Sequence, residues 1–321
     1  MSDSVTKNRL KKQQISEIVK TAFGQEIRMR EYQELSEGFC NIAYRILLSD
    51  GRKVVLKVAP REGVTLMSCE QGMMRTEVAA MQLAAQQGLF GVPRVYAFQE
   101  NSALSGSAWF IMECLEGESY AAARGGMTEE EQRNADRETG AYLHRLNQIK
   151  GESFGHFWLR ELQWKDWFTA FSRLLENVIE DGRRAQITIG TPYEQILEKL
   201  KQHRSYFAEV KEPVLIHFDS WDGNIFVKDG HFLGMIDWER AMWAEGLMED
   251  RFRYHTRNVS FQEGYGIREM TKAQTIRCAW YDVYLYLIMM FEGTYRHYET
   301  NDQYLWVHGL FEQVWCRLVQ W

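Results

Sequence analysis

The chain has 321 residues, 45% hydrophobic and 26% charged, with a formal net charge of −6 and only four prolines. That leaves room for one large domain or two medium ones. The acidic balance gives no support for nucleic-acid binding, and the scarcity of proline argues against long disordered linkers. Five scattered cysteines, odd in number and never spaced as Cys-x-x-Cys, argue against a zinc site or disulfide framework and fit a reducing compartment. No signal-like start and no run of the ~18–20 apolar residues of a membrane span is present, so a cytoplasmic protein is expected, with no membrane association and no evident obligate protein partner.

Residues 7–12 carry a short basic run that reads as the solvated start of an amphipathic helix over 11–23, with Ile15, Ile18, Val19 and Phe23 on one face and Gly24 as a stop. Strands are predicted at 30–35, 42–48 and 53–58, the last two joined by a Ser49-Asp50-Gly51 turn. A helix over 70–87 ends at Gly88, and strands at 95–98 and 109–112 complete a five-stranded antiparallel sheet carrying one helix. From Glu116 the character becomes helical. Helices are expected at 128–149 (opened by Thr128-Glu129-Glu130-Glu131, which resembles a capped N-terminus), 162–179, 193–207, about 265–296 and 303–320. The expected division is therefore 1–115 and 116–321, joined by a strand-to-loop passage at 111–117.

Between the helices lies Leu215-Ile216-His217-Phe218-Asp219-Ser220-Trp221-Asp222-Gly223-Asn224-Ile225-Phe226-Val227, then Gly234-Met235-Ile236-Asp237-Trp238. Residues 214–216 and 225–227 read as the two sides of a hairpin-like loop, and a short strand at 232–236 leads into Asp237. Asp219, Asn224 and Asp237 then sit at strand ends, where a loop can aim them into one cleft. Asp and Asn are also ordinary turn residues. In this order, however, they supply a carboxylate for an acceptor hydroxyl and two oxygen ligands for magnesium, as phosphoryl transfer requires. Upstream, Lys57 stands inside the apolar strand Val54-Val55-Leu56-Lys57-Val58, where an ammonium needs a cleft or an anion. Glu77, twenty residues on in the first sheet-associated helix, is the natural partner, with Glu70 as a competitor.

His217-x-Asp219-x4-Asn224 followed by Ile236-Asp237-Trp238 resembles the aminoglycoside phosphotransferase family, which includes choline kinase-like and fructosamine kinase-like enzymes. The resemblance spans about residues 30–255. It implies an α+β, protein-kinase-like two-lobe fold in which an N-terminal antiparallel five-stranded sheet with a helix precedes a larger, mainly helical C-terminal lobe. It further implies transfer of the γ-phosphoryl group of ATP, or GTP, to a hydroxyl of a small molecule. Asp219 would be the catalytic base, Asn224 and Asp237 magnesium ligands, and Lys57, paired with Glu77, the phosphate-positioning lysine. His217 would hold the loop by hydrogen bonds. Ser36-Glu37-Gly38-Phe39-Cys40-Asn41 falls where the family has its phosphate-covering loop, which makes Gly38 and Asn41 nucleotide-binding candidates. Residues 110–117 match the inter-lobe hinge, so the Glu113 carbonyl and the Leu115 N–H are placed against adenine. Asn147 stands where a His is usual.

Three departures mark the acceptor side: Phe218 in place of a common Gly, Trp221-Asp222-Gly223 in place of His-Pro-Gly, and Ala244-Glu245-Gly246 in place of Gly-Asp-Pro. Trp221, Trp238 and Trp243, with Glu239, Glu245, Glu249, Asp250 and Glu263, would suit an amino-bearing acceptor if they met in space; they would equally serve as core and solvated surface. A protein-kinase reading lacks an Ala-Pro-Glu activation segment and has Trp238-Glu239 in place of Phe-Gly. The rival from another class is a nucleotide-binding pseudoenzyme of the same fold. The acceptor, the choice of ATP or GTP, the oligomeric state, and a role in resistance or metabolism stay open at this level.

Overall fold

The computed structural model describes residues 7–35, 41–61 and 63–321; residues 36–40, Gly38 among them, lie outside the described residues. Helix α1 (Lys12–Phe23) buries Ile15, Ile18 and Val19, the stripe expected from their spacing, and ends at Gly24. Strands β1 (Met29–Leu35), β2 (Ile42–Leu48) and β3 (Lys53–Val58) follow, then α2 (Met73–Gln86), β4 (Val95–Gln99) and β5 (Trp109–Glu113). They form one antiparallel sheet in the order β1-β2-β3-β5-β4. The β2–β3 turn is the expected one, with Gly51 at φ +90° and Asp50 accepting the Arg52 N–H at 3.1 Å.

Strand β3 is covered on both faces. Val54, Leu56 and Val58 pack with α1, while Val55 joins the large core shared with α2 and the C-terminal helices. Alternation along the strand thus puts Lys57 on the inner side with Val55. Helix α2 starts later than the sequence pattern suggests. Ser68–Glu70 form a separate 3-10 turn, and Gly72, at φ +68°, breaks the chain before Met73.

Beyond Glu113 the chain leaves the sheet. The rest comprises β6 (Glu118–Ser119), α3 (Tyr120–Ala123), α4 (Glu129–Leu146), β7 (Phe154–His156), β8 (Gln163–Trp164), α5 (Trp167–Arg184) and α6 (Tyr193–Gln202). It continues with β9 (Val214–Ile216), β10 (Ile225–Lys228), β11 (His231–Met235), β12 (Met242–Ala244), α7 (Val259–Tyr265), α8 (Lys272–Tyr295) and α9 (Asp302–Gln320). Thr128 and Glu131 cap α4 reciprocally. The helix expected at 162–179 begins only at Trp167, because Asp166 caps it by accepting the Thr169 N–H at 2.9 Å. The one expected at 193–207 ends at Gln202, followed by a 3-10 turn, Arg204–Phe207. The one expected over 265–296 begins only at Lys272: Gly266, in the left-handed region, ends α7, and Thr271 caps the next helix.

The hairpin expected between residues 214–216 and 225–227 does not form. Strand β9 pairs with β12 in a sheet ordered β8-β7-β12-β9, whereas β10 pairs with β11 and β6. The loop 217–224 therefore crosses from one small sheet to the other. Strand β11 is held against the first half of the chain by a close backbone contact: Gly91 (φ +69°) accepts the Met235 N–H at 3.0 Å, and a Cβ on Gly91 would lie 2.8 Å from the Gly234 Cα. Helix α8 is buried almost throughout, with Trp280, Tyr281, Tyr284 and Tyr286 in the core as its apolar run suggests. Among the described residues no helix is long and apolar enough to cross a membrane.

Candidate active site

The inner face of β3, the first half of α2 and the end of β11 converge on the Lys57 ammonium. Its Nζ donates to Glu77 Oε1 at 2.7 Å and to Asp237 Oδ1 at 2.5 Å. Burial disfavours the ammonium, but Asp237 and Glu77 more than offset this, and Lys57 stays firmly protonated. Burial also pushes Asp237 up, yet the adjoining Lys57 wins and holds its carboxyl below the usual range. Glu77 is fully enclosed, and burial pushes it up to about 7 against the pull of Lys57. Glu70, the competitor, points elsewhere: it bonds Arg296.

Asp219 and Asn224 face each other across the 217–224 loop. Asn224 Nδ2 donates to the Asp219 main-chain oxygen at 2.9 Å and to its Oδ2 at 3.1 Å. Spending Nδ2 there leaves Oδ1 as the atom of Asn224 suited to a cation. The Asn224 carbonyl accepts the Ile236 N–H at 3.0 Å, which ties the loop to the residue before Asp237. Burial pushes the Asp219 carboxyl up to about 7, with the Arg240 guanidinium working in the opposite sense.

Behind this face the loop is anchored by buried groups. His217 bonds the Ile236 carbonyl through Nε2 at 3.0 Å and lies against the Trp238 ring; burial lowers its pKa to about 4, so it is neutral. Glu249 accepts the His217 and Phe218 N–H groups at 2.9 Å each and the Asn147 amide at 3.2 Å. Asp222 pairs with Arg251 at 2.5 Å and Arg124 at 2.8 Å. Phe218 and Asp237 adopt φ +68° and +67°, the left-handed region. The glycine that Phe218 replaces would sit there without strain.

The other expected contributors are more dispersed. Asn41 donates to Glu239 Oε2 at 2.7 Å, so its side chain is engaged with the turn after Asp237. Glu113 closes β5, its N–H donating to the Arg94 carbonyl at 2.8 Å, and Leu115 lies in the passage to β6. The tryptophan and acid cluster does not assemble. Trp238 is core, Trp243 stacks on Phe157, Glu245 holds Arg277, and Glu249 is the loop anchor. Only Trp221 of the three tryptophans is exposed.

Sequence reasoning missed Arg240 and placed Glu239 only in an acceptor-side cluster. Glu239 lies with Glu77 and Asp237 so that one carboxylate oxygen from each falls within 4.8 Å of the others, and Glu77 Oε2 is buried without a partner. Burial and the neighbouring Asp237 raise Glu239 to about 8. Two of these three carboxylates bond the Lys57 ammonium, which is the cation the cluster holds. Arg240 pairs with Glu292 beside Asp219. Their signal was the charged pair directly after Asp237-Trp238.

A search of curated proteins finds no match. Solved structures of similar fold include a thermostable mutant of aminoglycoside phosphotransferase APH(4)-Ia, at 17% identity and TM-score 0.66 over 93% of this chain and 97% of that one. A complex of a thermostable mutant of the same protein with ADP and hygromycin B matches at 16% and 0.65, over 94% and 97%. A candidate fructosamine-3-kinase from Thermobifida fusca YX-ER1 matches at 15% and 0.67, over 94% and 98%. These likenesses make the fold the two-lobed, protein-kinase-like α+β one. The model of the phosphotransferase enzyme family matches residues 31–248, which takes in Lys57, Glu77 and the whole 217–224 loop; the chain belongs to that family.

Proposed function

We propose that this phosphotransferase moves the γ-phosphoryl group of ATP or GTP to a hydroxyl of a small-molecule acceptor. The observation that carries the reading is the Lys57 ammonium bridging Glu77 and Asp237 beside the Asp219–Asn224 pair. In this reading residues 1–115 hold the nucleotide and 116–321 hold the catalytic loop and the acceptor. Lys57, set by Glu77, positions the donor phosphates; the loop at Gly38 and Asn41 covers them; the Glu113 carbonyl and Leu115 N–H face adenine. Asn224 and Asp237 would hold magnesium, which when bound supplies neutralisation of phosphate charge.

Asp219 orients the acceptor hydroxyl. The bond from the γ-phosphorus to the β–γ bridging oxygen breaks as the bond to the acceptor oxygen forms, and the hydroxyl proton passes to Asp219 late. Positioning and charge compensation supply most of the acceleration. The family match and the ADP–hygromycin B complex of a similar structure support the nucleotide and the small acceptor. No nucleic acid, membrane or obligate protein partner enters this reading, and a cytoplasmic setting suits it.

The test is phosphoryl transfer from ATP across a panel of amino sugars, choline, glycated amines and macrolides, with wild type and Asp219→Ala. One acceptor should be phosphorylated, transfer should vanish in the variant, and nucleotide affinity should stay within about threefold. Full activity in Asp219→Ala would sink the assignment.

A further inference from the structure

Four charged side chains form a buried chain that ends at Arg240, beside Asp219. Glu70, just before α2, accepts the Met67 N–H at 2.9 Å through Oε2, and its Oε1 lies 2.7 Å from Arg296. Arg296, at the end of α8, is also 3.4 Å from Glu292, and Glu292 pairs with Arg240. Arg240 is the cation that acts most strongly on the Asp219 carboxylate. Glu70, Arg296 and Glu292 are each at most 7% exposed. A second tether runs beside the first: the Ser68 N–H and hydroxyl both donate to Asp181 of α5, at 2.8 and 2.6 Å.

Exposed ion pairs hold little, but a desolvated chain of this kind leaves an uncompensated charge wherever it is cut. The entry to α2 is therefore fixed to α5 and α8. Along its body, α2 packs chiefly on the Trp238–Arg240 turn and only lightly on β4 and β5. Among the described residues its one charged link to β3 is the Glu77–Lys57 pair.

We propose that Arg296 and Arg240 are positioning residues. With Glu70 and Glu292 they bolt α2, and so Glu77, to the helices behind Asp219. The consequence for nucleotide binding rests on the function proposed above; the bolt itself does not.

Hydrogen exchange on the full chain without ligand tests it, comparing wild type with Glu70→Gln, Arg296→Gln and Arg296→Lys. The amides of α2 should exchange at least tenfold faster in both Gln variants, with α1 and β2 within twofold of wild type. Arg296→Lys, which keeps a cation between the two carboxylates, should recover most of the protection. Affinity for Mg·ADP should fall fivefold or more in the Gln variants and return in Arg296→Lys. Unchanged α2 exchange, uniform loosening of the whole chain, or equal loss in the Lys and Gln variants would overturn the bolt. Failure of wild type to bind Mg·ADP would instead overturn the nucleotide reading, and the exchange result would still decide the bolt.

Discussion

Replacing Lys57 with methionine would keep the apolar stem in place and remove only the ammonium. Glu77, fully enclosed, and Asp237, about one-third exposed, would then face each other without their cation. Breaking a buried pair by deleting one partner costs roughly 3–5 kcal/mol, and the exposure of Asp237 puts this case near the lower end. At ~3 kcal/mol the melting temperature should drop by about 6–12 °C, using the ~2–4 °C per kcal/mol of chains somewhat shorter than this one. The loss carries a pH signature. Burial already raises Glu77 to about 7 with Lys57 present, and without it both carboxyls move upward. A group whose folded pKa is raised loses stability as pH rises through that pKa, so the deficit should be largest at pH 8 and shrink toward pH 5. Adding Glu77→Gln to Lys57→Met should recover part of the deficit at pH 8. Thermal unfolding in the absence of nucleotide measures all of this with no acceptor identified. A deficit below about 1 kcal/mol, or one that does not change between pH 8 and pH 5, would refute the assignment of Lys57 as the shared cation of two carboxylates.

Asp237→Ala should lose at least tenfold in magnesium-dependent nucleotide affinity while metal-free binding changes little; isothermal titration with and without EDTA reads the difference, and an equal effect in both would remove Asp237 from the metal site. Glu249→Gln should destabilise by about 1.5–3 kcal/mol, because its single amide oxygen can accept only one of the His217 and Phe218 N–H groups and its NH2 then opposes the other; urea unfolding checks it, and a neutral result would mean that Glu249 is not the loop's anchor. The same variant should lower kcat more than it raises KM for the nucleotide, since Glu249 touches the backbone of the loop and none of the groups assigned to phosphate; steady-state kinetics with the acceptor found in the panel would show the reverse if that placement were wrong.

Much of the chemistry was legible because it lies in short, polar-apolar alternations that fix both the element and the side. The strand Val54–Val58 could place its lysine only inward or outward, and covering on both faces makes inward the buried, paired side. Asp219, Asn224 and Asp237 stood out by their spacing together with the family resemblance, although the pairing of their flanking strands did not. Strands β9 and β10 read locally as a hairpin, but β9 finds β12 and β10 finds β11, and long-range pairings of that kind leave no mark in a window of ten residues. Helix starts went astray where one residue decides them: Gly72 before α2, Asp166 before α5, Thr271 before α8. Whether the acids around 239–250 meet in space was open at the level of sequence; the 3-10 turns in that stretch send Glu239, Glu245 and Glu249 to three different partners.

The two left-handed residues, Phe218 and Asp237, bracket the proposed chemistry, and they are not equivalent. Aspartate visits that region at modest cost, whereas a phenylalanine held there costs on the order of 1–3 kcal/mol. Such strain persists only where the surroundings over-determine the backbone. Here they do: Glu249 takes the N–H of Phe218 itself, Arg253 lies over its ring, and the ring packs near Tyr284. Burying the ring returns roughly 3–5 kcal/mol that a glycine would forgo, which exceeds the strain. The departure at 218 is therefore stabilising on balance. It stiffens the chain immediately before Asp219, so the one side chain assigned to meet the acceptor hydroxyl is held from behind by packing as well as from the side by Asn224.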